Sequence, residues 1–288
     1  MRTLLLFGVL FVFHLFAQSS VWKISDGKYT LYVGGTIHLL RSSDYPLPLE
    51  FDEAYAQADY VVFETDLAAA TGEKFHHLLT QKMMLPPSQK LSDRLSPKTY
   101  AQLKAYIDAQ GYSVELFERM RPWAVMLTLS QLKLSASGID ESGVDSYFDH
   151  RCAGDYKPKR SLETVEEQIG LITRIGEGEE DALIRQTLRD MKELSSMIEW
   201  MVSDWREGKT ERLNNELVDQ MRIESPKMYE SVLKRRNEAW MPQLLHMLHE
   251  EKRGFVLVGM MHLLGKDGVL QKFLQMGYAV EYLDTPKH

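Results

Sequence analysis

The sequence contains a single cysteine, Cys152, so its 288 residues cannot form an intrachain disulfide. After the N-terminal segment it has no hydrophobic run long enough to cross a membrane. The formal net charge is -7, which argues against a nucleic-acid partner, because such partners require a clustered basic face. The one strongly basic run, at residues 157–160, is expected to be a solvated loop.

Several common catalytic motifs are also absent. The chain has no His-Glu-x-x-His pattern, which excludes a helix-borne zinc protease, and no Gly-x-Ser-x-Gly nucleophile elbow. It has neither a phosphate loop nor a dinucleotide fingerprint. With 44% hydrophobic and 26% charged residues, the composition is that of an ordinary globular protein. Cys152 is expected to be a small buried hydrophobe rather than a nucleophile.

The N-terminal segment predicts export. Arg2 precedes an apolar run from Leu4 to Phe16, and the small residues Ala17 and Ser19 follow. A basic start, a short apolar core and a small-x-small end describe a secretory signal peptide. We therefore predict a signal peptide over residues 1–19, a periplasmic or extracellular protein, and no stable membrane anchor after cleavage. An uncleaved anchor is the alternative.

Two near copies of one segment stand at opposite ends of the chain. Residues 35–40 read Gly-Thr-Ile-His-Leu-Leu and residues 259–264 read Gly-Met-Met-His-Leu-Leu, and each copy follows an apolar, strand-like run. A histidine buried without a partner costs roughly 2–7 kcal/mol. The repetition predicts that His38 and His262 meet at one site. Two buried histidines with separate hydrogen-bond partners would give the same pattern.

Glu64 follows the apolar run at residues 60–63 directly. A carboxylate at the end of a buried strand is a natural functional position, although a solvated strand end has the same pattern. If these strands share a sheet, Glu64, His38 and His262 converge. Two histidines and a carboxylate are a common ligand set for a divalent metal, and an open fourth position leaves room for water. Such a metal lowers the pKa of its bound water toward ~7.

The helix that starts at Ser225-Pro226 carries an apolar stripe of Leu233, Trp240, Leu244 and Met247. The helical period places Arg236 or Asn237 on the same face. A polar group there is expensive unless it is paired, so one of the two is expected to contact a carboxylate or the substrate. A capping or surface role is the alternative. The pair His246 and His249 is expected to lie at an exposed helix end and not to bind metal.

The order of the patterns predicts an α/β fold. The pattern of residues 21–40 predicts a hairpin. Residues 255–283 predict a strand followed by a histidine, then a helix and a second strand, which is a crossover connection. Helical patterns fill most of the chain between these ends. We therefore predict one domain over residues 20–288, with a central mixed β-sheet built from N- and C-terminal segments. A large α-helical insertion at about residues 71–252 is expected to cover that sheet.

Motifs in a fixed order run through nearly the whole mature chain. They are residues 35–38, 62–66, 121–124 and 143–145, residues 162–164 with Gln168, Arg236-Asn237 with Trp240, and residues 259–262 with Gly265. This ordered set resembles the TraB/PrgY/GumN family, especially its GumN-like branch. The resemblance extends more distantly to the TIKI metalloproteases and to erythromycin-esterase-like proteins.

The resemblance implies a metallohydrolase of peptidase type. The family's two Gly-x-x-His motifs and glutamate correspond here to Gly35 with His38, Gly259 with His262, and Glu64. These two histidines and the glutamate would hold a divalent metal, with manganese or cobalt favoured over zinc. Arg236 would stabilise an oxyanion or a substrate carboxylate, and Glu163 and Asn237 would support the site. The substrate would be a peptide or a small molecule.

One departure from the family concerns Met260 and Met261, where relatives often carry small residues. The two methionines are expected to narrow or dry the pocket.

Two other functions are compatible with the same residues. One is a non-catalytic periplasmic binding protein for a peptide, a metal or a haem-like ligand. It would retain its ligand through purification without turning over any substrate. The other is a metal-free esterase that uses histidine and glutamate as acid and base, and chelators would leave it active.

Overall fold

The computed structural model describes residues 19–139, 141–250 and 252–284. The strands are β1 (Val21–Ser25), β2 (Thr30–Thr36), β3 (Leu39–Leu40), β4 (Tyr60–Phe63), β5 (Glu141–Ser142), β6 (Lys159–Ser161), β7 (Gly254–Gly259) and β8 (Ala279–Tyr282). The first helices are α1 (Leu49–Gln57), α2 (Leu67–Ala70), α3 (Glu73–Met83), α4 (Pro97–Ala109), α5 (Pro122–Ala136), α6 (Val144–Asp155) and α7 (Val165–Ile172). They are followed by α8 (Glu180–Arg206), α9 (Thr210–Leu213), α10 (Gln220–Glu224), α11 (Pro226–Tyr229), α12 (Arg235–Leu248), α13 (Met260–Leu263) and α14 (Val269–Gln275). Two π-helical segments, Asn214–Asp219 and Glu230–Lys234, lie before α10 and α12.

Six of these strands form one mixed sheet in the order β6-β4-β7-β2-β1-β8. The four neighbours β6, β4, β7 and β2 run parallel to one another, whereas β1 is antiparallel to both β2 and β8. Strands β1 and β2 form the predicted hairpin, and β7, α13, α14 and β8 form the predicted crossover. The prediction of an α/β fold with a mixed sheet is therefore confirmed. The central strands are buried on both faces, in agreement with their wholly apolar sequences.

One sequence prediction in this region was wrong. The basic run at residues 157–160 was expected to be a solvated loop, but Lys159–Ser161 forms the edge strand β6 beside β4. The Arg160 guanidinium donates to both carboxylate oxygens of Glu250 at 2.7 and 3.0 Å, and Lys159 Nζ donates to Asp149 at 2.6 Å. A carboxylate of α6 and one just after α12 therefore pair with the charges, and the helical middle of the chain contributes a strand to the sheet.

The helical middle is joined to the sheet by a buried tryptophan. Trp205, near the end of α8, donates from Nε1 to the carbonyl oxygen of Gly35 at 2.6 Å. Its own carbonyl accepts from the Ser20 hydroxyl at 2.7 Å. Gly176 and Gly178 have positive φ angles and separate α7 from α8.

The predicted signal peptide lies almost entirely outside the described residues, which begin at Ser19. Within the described ranges, none of the helices combines the length and the apolar character needed to span a bilayer.

Cys152 lies in α6 and is 1% exposed, and burial raises the pKa of its thiol. Because the thiolate is the reactive form, we expect the native protein to resist Ellman's reagent, with less than about a tenth of the thiol modified in an hour. In guanidinium chloride one equivalent per chain should react within minutes. One rapid equivalent in the native state would show that α6 opens readily.

Candidate functional site

Four polar residues follow the carboxyl ends of four neighbouring parallel strands. Glu163 comes after β6, Glu64 directly after β4, His262 after β7 and His38 after β2. Because parallel strands end at the same edge of a sheet, this topology places all four side chains on one side of the molecule. The predicted convergence of His38, Glu64 and His262 therefore follows from the order of the strands.

Gly259, the last residue of β7, marks the point where the three side chains meet. A Cβ atom built on Gly259 would lie 3.3 Å from Glu64 Oε1, 3.6 Å from His38 Nε2 and 3.7 Å from His262 Cδ2. The Gly259 N–H also donates to Glu64 Oε1 at 2.7 Å. A Cβ at this position would crowd Glu64 and fill the space between the two rings, so glycine keeps the centre of the site open.

The other motif glycine, Gly35, makes a different contact. A Cβ on Gly35 would lie 2.3 Å from the sulfur of Met260, so the two motifs pack directly against each other. Met260 is buried in this contact. Neither Met260 nor Met261 lines the pocket beside the site, so the expected narrowing by these two residues is not found.

His38 is the accessible histidine, with 68% of its side chain exposed. Its Nδ1 is 2.9 Å from Asp145 Oδ2, in the first turn of α6. The Asp145 carboxylate raises the pKa of His38 to about 9. Because Asp145 binds Nδ1, the Nε2 atom is the one that faces Gly259 and the centre of the site.

His262 is the buried histidine, with 5% of its side chain exposed. Its Nδ1 is 2.7 Å from Asn237 Oδ1, and Asn237 Nδ2 donates to the carbonyl oxygens of His262 and Asp267. Since the Asn237 oxygen can only accept, Nδ1 carries the proton and Nε2 holds a lone pair. Burial lowers the pKa of His262 to about 3, so the ring is neutral at neutral pH.

Arg236 connects the buried groups of the site. Its Nε and Nη2 atoms donate to the two carboxylate oxygens of Glu163 at 2.8 and 2.9 Å. Nη2 also donates to Glu64 Oε2 at 2.5 Å, and Nη1 lies 2.9 Å from His262 Nε2. A planar guanidinium can satisfy all of these acceptors at once, which an ammonium group could not do.

These contacts fix the charge state of Glu64. Burial by itself would raise the pKa of Glu64, but interactions with His262, Arg236 and His38, together with the Gly259 N–H, lower it to about 2. Because His262 is neutral at neutral pH, Arg236 is the adjacent buried cation that keeps Glu64 ionised.

The sequence left open whether Arg236 or Asn237 would face the site, and the structure places both of them there. Successive helical residues are about 100° apart. The site contacts both of these positions on the surface of α12. Asn237 contacts His262, and Arg236 contacts Glu64 and Glu163. His246 and His249 lie instead at the exposed end of α12.

The sequence predicted no role in the site for Asp145 or Trp240, although both lie within the family motifs. Trp240 donates from Nε1 to Glu163 Oε1 at 2.9 Å, and its ring centroid is 4.4 Å from that of His262. Asp145 shares a buried helix face with Phe148 and Cys152, three and seven positions further on. An acid on an otherwise apolar helix face was the signal that could have revealed it.

The side chains at the centre, two histidines and a glutamate, are of the chemical types that bind divalent cations. Metal-binding histidines usually present one ring nitrogen to the metal while the other is fixed by a carboxylate or carbonyl oxygen. Asp145 and Asn237 hold His38 and His262 in this manner. Among the described residues, however, no three acidic, histidine or cysteine side chains are positioned as a metal-binding group. The Arg236 guanidinium engages Glu64 and His262 instead.

The fold and the site together define an α/β protein with a histidine–glutamate centre at the carboxyl ends of its parallel strands. The sequence model of the TraB/PrgY/gumN family matches residues 20–282, so the chain belongs to this family. The match covers the sheet, the helical middle and all of the candidate site residues.

Two curated relatives illustrate the range of similarity. The chain is 24% identical over 246 residues to the "Uncharacterized protein YbaP" of Escherichia coli (strain K12), which covers 85% of this chain and 88% of that protein. It is 25% identical over 318 residues to "Metalloprotease TIKI1" of Danio rerio, covering 92% of this chain and 63% of that protein. No solved structure gives a significant match to the chain.

Proposed function

We propose that this protein is an exported, metal-dependent hydrolase that cleaves peptides. The observation that carries the proposal is the meeting of His38 Nε2, Glu64 Oε1 and the His262 ring around Gly259, with each histidine fixed through its Nδ1. Similarity to a protein named as a metalloprotease supports the reaction class. The predicted signal peptide supports export to the periplasm or the extracellular space.

Each residue of the site has its own role in the proposed reaction. His38, His262 and Glu64 would hold the cation, which supplies Lewis acidity and makes a water molecule more acidic. Asp145 and Asn237 fix the two rings. His38 Nε2 faces Gly259, and His262 Nε2 would exchange its contact with Arg236 Nη1 for the cation. Arg236 places its positive charge beside the centre, where it can stabilise an oxyanion at a reacting carbonyl, and Glu163 and Trp240 hold the guanidinium in place.

Alanine substitutions at His38 and His262 test this assignment. Protein loaded with Mn²⁺ or Co²⁺ is offered a peptide library, and cleavage is followed by mass spectrometry. We expect each variant to lose at least about 100-fold in kcat/KM, because removing one group that acts on the reacting atoms has an effect of this size. Calorimetric titration should also show that each variant binds Mn²⁺ or Co²⁺ more weakly.

The matched control is the pair His246→Ala and His249→Ala, which removes two histidines at the exposed end of α12. This double variant should cleave the library and bind the metal like the parent protein. Full activity in His38→Ala or His262→Ala would contradict the proposal.

The contacts of Arg236 favour one second candidate. Because the guanidinium already binds Glu64 and His262, the centre can also be read as a metal-free hydrolase in which histidine and glutamate transfer protons. A chelator separates the two functions. Activity that survives exhaustive dialysis against EDTA favours the metal-free enzyme, and activity that is lost and then restored by Mn²⁺ or Co²⁺ favours the metal-dependent one.

A further inference from the structure

A pocket of about 300 Å³ opens beside the site. On one side it is bounded by His38, Glu64, Asp145 and Arg236, so it leads directly from the groups assigned to the reaction. The remaining wall is mostly aliphatic and comes from three separate parts of the chain: Leu67, Ala70, Leu171, Ile172, Ile175 and Val232. The pocket lining therefore combines charged groups of the site with an aliphatic wall.

The aliphatic wall is only partly buried. Leu171, Ile172 and Ile175 are each of intermediate exposure. Together with Gln168 they follow the spacing i, i+3, i+4 and i+7, which places them along one side of α7 and the turn after it. Ile169, on another face of α7, is 2% exposed and packs into the protein. This helix thus has two apolar faces, and one of them remains available to a ligand.

We propose that this pocket receives a large apolar side chain, aliphatic or aromatic, of the peptide residue next to the scissile bond. The inference rests on the proposed peptidase function. The volume lies at the lower end of the range for ligand pockets, which suits one side chain better than an extended segment. A charged side chain would lose its hydration against the aliphatic wall, and the charged groups that line the pocket are already paired.

Ala70 and Leu171 determine the size of the pocket. Ala70 ends the short helix α2, and its small side chain leaves part of the volume free. Replacing it with phenylalanine would fill that volume. Leu171→Ala would enlarge the pocket. Ala69 is exposed and does not line the pocket, so Ala69→Phe is a matched control on the same helix.

The test uses peptides of one glycine- and serine-rich sequence that vary at a single position among leucine, phenylalanine, alanine, aspartate and lysine. The wild-type protein loaded with Mn²⁺ should cleave the leucine and phenylalanine peptides with kcat/KM at least about 100-fold above the alanine peptide. This expectation follows because one methylene in an apolar pocket is worth roughly 10–200-fold. The aspartate and lysine peptides should be the poorest substrates.

Ala70→Phe should reduce cleavage of the leucine and phenylalanine peptides at least about tenfold and leave the alanine peptide within about twofold. Ala69→Phe should behave like wild type. Leu171→Ala should shift the preference from leucine toward phenylalanine, which provides a second measurement if Ala70→Phe does not fold. Cleavage of all five peptides at similar rates would overturn the pocket assignment and leave the hydrolase function standing.

Binding without turnover is measured in parallel by NMR with N-acetyl-phenylalanine amide and N-acetyl-alanine amide. If no peptide is cleaved but the phenylalanine amide binds selectively, and Ala70→Phe abolishes this binding, the pocket assignment holds and the hydrolase proposal fails. If no peptide is cleaved and neither amide binds selectively, the pocket assignment is overturned as well.

Discussion

Replacing Arg236 with methionine is expected to lower the free energy of unfolding by about 3–5 kcal/mol, because it breaks a buried ion pair by removing one partner. The guanidinium donates to Glu163 and Glu64, and the side chains of all three residues are at most 12% exposed. Without Arg236, two carboxylates remain close together in a region of low dielectric. Urea unfolding followed by circular dichroism measures the difference.

The neighbouring residue provides the control. Arg235 is 71% exposed and pairs only at the surface with Glu230, so Arg235→Met should change the stability by less than about 1 kcal/mol. Arg236→Lys should recover only part of the loss, because one ammonium cannot reproduce the forked contact with Glu163. Equal stabilities of the Arg236→Met and Arg235→Met proteins would mean that the two glutamates find other partners.

Replacing Gly143 with alanine should destabilise the protein by about 3 kcal/mol and reduce activity through a shift of His38. A Cβ at this position would lie 2.1 Å from the Ile37 carbonyl oxygen and 2.3 Å from the His38 carbonyl carbon. Both atoms belong to the backbone and cannot rotate away. The φ angle of Gly143 is -78°, which alanine adopts without strain, so the expected loss is entirely steric.

Gly154→Ala in the same helix is the matched control. Nothing lies within 4 Å of its Cβ position, and it should stabilise the protein by up to about 1 kcal/mol, since alanine favours helix over glycine. Thermal unfolding of both variants, combined with the peptide assay, tests the pair. A Gly143→Ala protein with unchanged melting temperature and activity would show that the loop carrying His38 adjusts freely.

The predictions that succeeded rest on short apolar runs and on the glycine or polar residue that ends each of them. The runs before Gly35, Glu64 and Gly259 are buried strands, and short apolar runs with such boundaries favour strands. Strand β6 was missed because Lys159-Arg160-Ser161 has no strand pattern. It forms a strand only because β4 offers an open edge and Glu250 lies within reach, and both conditions depend on the tertiary fold.

The site was likewise predicted only in part from the sequence. His38, Glu64 and His262 could be found because each follows a strand. The burial of Asp145 could have been inferred from its apolar helix face, but its partner could not, because His38 is 107 positions away in sequence and no local pattern links the two. Whether Arg236 binds a carboxylate or the solvent likewise depends on where Glu163 lies at the end of β6. The order of strands in the sheet decides that position, and strand order is not encoded locally.

The contact of Gly35 with Met260 also determines when the site can exist during biosynthesis. Strand β2 pairs with β7, Gly35 opposite Val258, so the two halves of the centre are separated by roughly 220 residues of chain. A nascent or truncated polypeptide that lacks the last strands carries His38 and Glu64 but no functional centre. Pairing of β7 with β2 is therefore required before the proposed peptidase can act.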